Sequence, residues 1–244
     1  MKFKLSLLII FVPLIWVNGQ KLHNQIIKNR ISDFSNAKSI NFEKENIDLF
    51  NYFKKNDLES LRKYIYIVFI SKKDYKTANI LQWNSHIKIY LDKNIPKKTR
   101  KNIKRFYSSD SFKEIENLKI SFVNKKSKSN YWVKDISSDS NSISSCSLIK
   151  DENFKVYGCI LKVKCDDFDN KRLSKILKQS IFRSLGNFSI ISAKRNYSLL
   201  SINYTDQDIL SDFDLNILKL HYNVIYDQIV NLNTFNKILS IDSK

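Results

Sequence analysis

Gln179-Ser180-Ile181-Phe182-Arg183-Ser184-Leu185-Gly186 closes a segment in which Leu173, Ile176, Leu177, Ile181 and Leu185 recur at three- and four-residue steps. That spacing puts them on one face of a helix over about 170–185. Asp169 or Asn170 offers a side-chain oxygen to cap the first free amides, and Gly186 is the expected C-terminal stop. Working backwards, Cys146 to Lys164 predicts a β-hairpin turning on Lys150-Asp151-Glu152-Asn153, with a long second arm from Phe154. A low-complexity loop, residues 138–145, precedes it. Tyr131-Trp132-Val133, Leu118 to Val123 and Ile87 to Leu91 read as strands, and Pro96 opens a basic helix to about Tyr107. Asn46 to Tyr66 has helical spacing, whereas Tyr64 to Ile70 suits a helix end or a buried strand equally. Forwards, Ser211-Asp212-Phe213-Asp214 is a capping-box pattern opening a helix over about 212–223 that buries Leu215, Leu218 and Tyr222. A short closing helix is expected around Phe235 to Ile241. This order predicts an α+β domain with one mixed sheet and packed helices.

The polar positions of the octapeptide carry the chemistry. In an H-E-x-x-H-x-x-G helix two imidazoles one turn apart ligate zinc, the Glu acts as general base, and the Gly lets the chain turn away. Here the frame is kept and the chemistry is not. Gln179 and Arg183 stand at the ligand positions, Ser180 at the base position, and Ser189 three residues past Gly186. An amide oxygen is a poor zinc ligand, and a guanidinium does not give up its proton. No metal, cofactor or catalytic residue is therefore expected.

At these residues the chain resembles a bacterial family of exported proteins of unknown function related to metzincin-type peptidases, in which the paired histidines are typically glutamines. The matching pieces are Trp83 with His86-Ile87-Lys88-Ile89-Tyr90-Leu91, then Ser129-Asn130-Tyr131-Trp132-Val133, and Gly158-Cys159-Ile160-Leu161-Lys162-Val163. The helix Gln179 to Gly186 and the stretch Leu210 to Tyr222 complete them. The sequence departs from that pattern at Ser180 and Arg183, where the family has Glu and Gln. The resemblance implies a single degenerate zincin-like domain over residues 45–244.

The N-terminus predicts export. Lys2 and Lys4 precede the 12-residue apolar run Leu5 to Trp16, and Val17-Asn18-Gly19 offers a cleavage site, so residues 1–19 read as a signal peptide. The run is too short to span a bilayer, and no later segment is long and apolar enough to do so. Residues 20–44 are polar and read as an arm or linker. A secreted or periplasmic protein follows. Its net charge of +18 falls by two on removal of the signal. Such a surface favours anionic partners, with an anionic envelope polymer or an envelope protein expected before nucleic acid. Export also permits a disulfide. A hairpin centred between Glu152 and Asn153 sets Cys146 opposite Cys159, the preferred pair, with Cys146–Cys165 the rival.

Other candidates are weaker. His23, His86 and His221 have no second ligand at helical or strand spacing. Cys165-Asp166-Asp167-Phe168-Asp169 lacks the glycine and bidentate Glu of a calcium loop. Lys97, Lys98, Arg100, Lys101, Lys104 and Arg105 form the densest basic patch. Arg172, Ile176, Gln179 and Arg183 share one line beside the apolar stripe, so Arg183, held by Gln179, is the expected place for a carboxylate. The sequence thus predicts a catalytically inactive binding or structural module. A metal-independent hydrolase using other residues of the same cleft, or a basic module for anionic envelope polymers, is the alternative.

Overall fold

The computed structural model describes residues 58–72, 78–139, 143–191, 196–227 and 229–239. The expected signal peptide and polar arm lie outside them. The chain divides into two compact units, residues 41–232 forming nearly all of one. Among the described residues the other holds 233–239, most of α6 (Leu232–Leu239), which begins three residues before the closing helix expected from sequence.

In the larger unit, α1 (Leu58–Ile65) runs into a π turn, Tyr66–Ile70. The ambiguous apolar run is therefore helical, with Ile67, Val68, Phe69 and Ile70 all buried. A sheet follows, built from β1 (Gln82–Trp83), β2 (Ile87–Leu91), β3 (Ile120–Phe122), β4 (Tyr131–Asp135), β5 (Ser145–Lys150) and β6 (Lys155–Val163). Strands β3, β2, β4 and β6 lie side by side and parallel, and β5 closes the β6 edge antiparallel. The short β1, which sequence patterning missed, pairs with Lys155 and Val156 on the β4 side of β6. The mixed sheet with packed helices is thus present, and it is mostly parallel.

Alternation fixes the two faces of the sheet. Ile87, Ile89, Leu91, Tyr131, Val133, Cys159, Leu161 and Val163 are buried, while Lys88, Tyr90, Trp132 and Ile160 on the opposite face stay partly or fully open. On that face the Lys126 ammonium stands 3.4 Å from the centre of the Trp132 ring. α2 (Lys97–Tyr107) and the single turn α3 (Asp110–Lys113) connect β2 to β3. α4 (Asn170–Gly186) packs beside α2, where the Tyr107 hydroxyl donates to the Lys178 carbonyl at 2.5 Å. α5 (Asp212–Lys219) continues through a π turn to Val224, burying Phe213, Ile217, Leu218 and Tyr222, while Leu215 is half-buried.

The hairpin register differs from the expected one. Cys146 faces Leu161 and Leu148 faces Cys159, so the two cysteines are diagonal neighbours. The turn is the cause. The Asp151 carboxylate accepts from the amides of Asn153 at 2.9 Å and Lys155 at 2.8 Å, Phe154 turns left-handed at φ 62°, and the ladder slips between Ile149 and Lys150. A bulge of this kind adds a residue to one arm, here Tyr157, and so shifts the pairing.

Candidate functional site

Both ends of α4 are fixed. Asp169 caps the start, accepting from the Arg172 amide at 2.8 Å. At the other end the stop is Asn187, left-handed at φ 52° and ψ 40°, and not Gly186, which is the last helical residue. Asn is the non-glycine residue best suited to that conformation. The last-turn carbonyls, which have no partner within the helix, are met from distant chain. Trp83 Nε1 donates to the Ser184 carbonyl at 3.1 Å, and the Tyr222 hydroxyl donates to that of Leu185 at 2.5 Å.

A cleft of about 320 Å³ opens between β5, the end of β6 and the second half of α4. Cys146, Leu148 and Leu161 form its sheet wall, and Ile176, Ser180 and Arg183 its helix wall. The structure thus brings Ser180 and Arg183 together with Ile176, and separates the other members of the expected line. Gln179 turns to the following loop, donating to the carbonyls of Leu199 at 3.1 Å and Ser201 at 2.9 Å, so it does not hold Arg183. Arg172 is exposed, its guanidinium 5.1 Å from the Phe168 ring centre.

Arg183 is half-buried and donates through Nε to the Phe188 carbonyl at 3.2 Å. Burial lowers its pKa. Beside it is Lys72, whose ammonium donates to the Asn187 carbonyl and to Ser189 Oγ. Burial and then the Arg183 charge bring Lys72 down to about 8. Among the described residues neither cation is ion-paired to a carboxylate. Ser189, the third ligand position of the motif, accepts from Ser71 Oγ at 2.6 Å. Lys72 was invisible to sequence reading because it meets α4 across more than a hundred residues and stands in no motif.

The cysteines contribute one close pair. Cys146 Sγ lies 3.6 Å from Cys159 Sγ, and all three thiols are unbonded. A hydrogen bond from Cys159, and then the Arg183 charge, lower the Cys146 pKa against the effect of burial. The same bond and burial raise that of Cys159. Cys165 sits apart in a short 3-10 turn, its amide held by Asp135 at 3.2 Å, and burial pushes its thiol up to about 12.

Elsewhere the expected candidates have local roles. On α2, Lys97, Lys98, Lys101 and Arg105 are exposed, Arg100 Nε donates to the Ile95 carbonyl at 2.9 Å, and Arg105 pairs with Asp208 at 2.8 Å. His221 is fully buried, with Nε2 on the Leu81 carbonyl at 2.9 Å and Nδ1 on the Tyr64 hydroxyl at 2.8 Å. Among the described residues no three His, Cys, Asp or Glu side chains gather as metal donors, and no helix is long and apolar enough to cross a membrane. No protein-family model, curated protein or solved structure matches the chain.

Proposed function

We propose that the chain is a secreted or periplasmic, catalytically inactive zincin-like module that binds a carboxylate-bearing ligand in the cleft over α4. The observation that carries this is Arg183. It lines the cleft at a motif position, half-buried, next to a second cation and with no carboxylate partner among the described residues. Two neighbouring half-buried cations repel each other, and an anion arriving between them relieves that cost. A guanidinium fork suits a carboxylate, because two parallel N–H donors match its two oxygens. The zincin-like reading is supported by the helix α4 lying against a mixed sheet with an antiparallel edge strand, and by the motif frame within α4. The inactivity is supported by Gln179, Ser180 and Arg183, which offer neither imidazole nor a general base.

The test is calorimetric titration of the purified protein with a glutamate-rich peptide, alongside zinc analysis and a peptidase screen. Arg183→Ala should weaken binding by about 1.5–3 kcal/mol, the worth of a charge-assisted hydrogen bond, and leave the unfolding midpoint nearly unchanged because no buried pair is broken. Affinity should also fall as pH rises through about 8, where Lys72 loses its proton, while Arg183 keeps its charge. Stoichiometric zinc, or peptide cleavage stopped by a chelator, overturns the reading.

A further inference from the structure

We infer that Cys146 and Cys159 form a redox-active dithiol in the wall of the cleft, with Cys146 exchanging with external disulfides and Cys159 resolving the product. Three observations carry this beyond a structural cross-link. The first is access. Cys146 is exposed on the edge strand β5 and lines the cleft, whereas Cys159 is buried at 2% exposure on the strand behind it. An incoming disulfide meets one sulfur only. The second is charge. Arg183, without a carboxylate partner among the described residues, stands near enough to Cys146 that each stabilises the ionised form of the other. The thiolate is the attacking species in exchange, so a cation at this place promotes reaction. Cys159, hydrogen-bonded to Cys146 and buried, stays protonated, with the Tyr131 hydroxyl acting in the opposite direction.

The third observation is register. Bridged cysteines have Cα atoms about 4.4–6.8 Å apart. Diagonal neighbours in an antiparallel ladder lie about 7–8 Å apart. Cys146 and Cys159 are diagonal, yet their sulfurs approach to 3.6 Å. The two thiols are thus within reach of each other, and a bond with Cys146 on the exposed edge strand belongs to the exposed, reducible class of disulfides. Cys165 has no part in this, being buried beside Asp135.

The Cys146 thiolate attacks one sulfur of an external disulfide, forming a mixed disulfide and expelling one thiolate. Cys159 then releases its proton and its sulfur attacks Cys146 Sγ, forming the Cys146–Cys159 bond and expelling the second thiolate. The two protein thiols are oxidised, the external disulfide is reduced to two thiols, and the two protons of the pair end on them.

The experiment uses the full chain, reduced and then mixed with oxidised glutathione, with quenched samples mapped by peptide mass spectrometry. The wild type should pass to an intramolecular Cys146–Cys159 bond. Cys159→Ser should accumulate a glutathione adduct at Cys146, and Cys146→Ser should stay unmodified while folded. Arg183→Ala should slow adduct formation several-fold. A readout that needs no variant is limited alkylation of the reduced wild type with iodoacetamide, in which Cys146 should label well before Cys159 and Cys165. The inference is overturned where Cys146 reacts no faster than the thiol of free glutathione. It is equally overturned where the wild-type pair stays bonded in reduced glutathione alone, which would make it a structural disulfide.

Discussion

Gly186 is required for space and not for backbone angle. It is helical, and a Cβ added there would sit 2.4 Å from the ring of Phe188 and 2.9 Å from His221 Cε1. Both rings are buried and meet edge to face at 5.0 Å between centres, so neither swings aside. Gly186→Ala should therefore destabilise by about 1–3 kcal/mol, the usual cost of overpacking, measured as a shift in the urea midpoint. Sequence reading found this glycine and gave it the wrong task, since the left-handed turn belongs to Asn187. The caps Asp169 and Ser211 were legible because a cap acts within three residues of itself. Gln179 was not, because its partners are carbonyls 20 and 22 residues downstream that no periodicity encodes.

At the scale of elements, α4 is tied to the loop after it by a lysine that sequence reading would leave in solvent. Lys178 is 2% exposed, pairs with Asp206 at 2.7 Å and donates to the Gln207 carbonyl, with Phe106 beneath its ammonium. Lys178→Met keeps the stem and removes the charge, leaving Asp206, 17% exposed, without its partner. Breaking such a pair on one side should cost about 3 kcal/mol or more. The double variant Lys178→Met, Asp206→Asn should recover part of this in a two-variant cycle. Every strand of the sheet except β1 was legible, β2 and β3 as alternation, β4 as a short aromatic and β-branched run, and β5 and β6 as the two arms of a hairpin about its polar turn. The hairpin register was not, because the Asp151 turn adds residues whose effect on pairing depends on the left-handed angle of Phe154.

For the whole molecule, strand order lay beyond sequence reading, since parallel neighbours such as β4 and β6 meet through pairing across about 28 residues and no local signal sets it. That order brings two buried titratable groups into the core with opposite effects on stability. His221 is held neutral by burial and falls to about 3 from its ordinary 6.5. The unfolded chain takes up a proton below 6.5 and the folded one does not until about 3, so this group's stabilising contribution is lost as pH falls through that window. Asp214 is also fully buried, and burial raises it from 3.8 to about 6 even though Ser198, Ser211 and the Leu199 amide donate to its carboxylate. Here the folded chain holds a proton that the unfolded one releases between 3.8 and 6, so stability is gained as pH falls through that range. From pH 6 to 4 the two oppose each other, and the wild-type urea midpoint should change only gently. Asp214→Asn removes the compensating group and should steepen the acid loss. His221→Gln, which keeps a donor and an acceptor, should reverse the slope, so that the variant becomes more stable on acidification. Each proton-binding difference is worth about 1.4 kcal/mol per pH unit, so urea titrations at pH 7, 6, 5 and 4 resolve the three curves. A His221→Gln slope identical to wild type would mean that the imidazole titrates freely and that the Tyr64–His221–Leu81 chain of hydrogen bonds does not persist in solution.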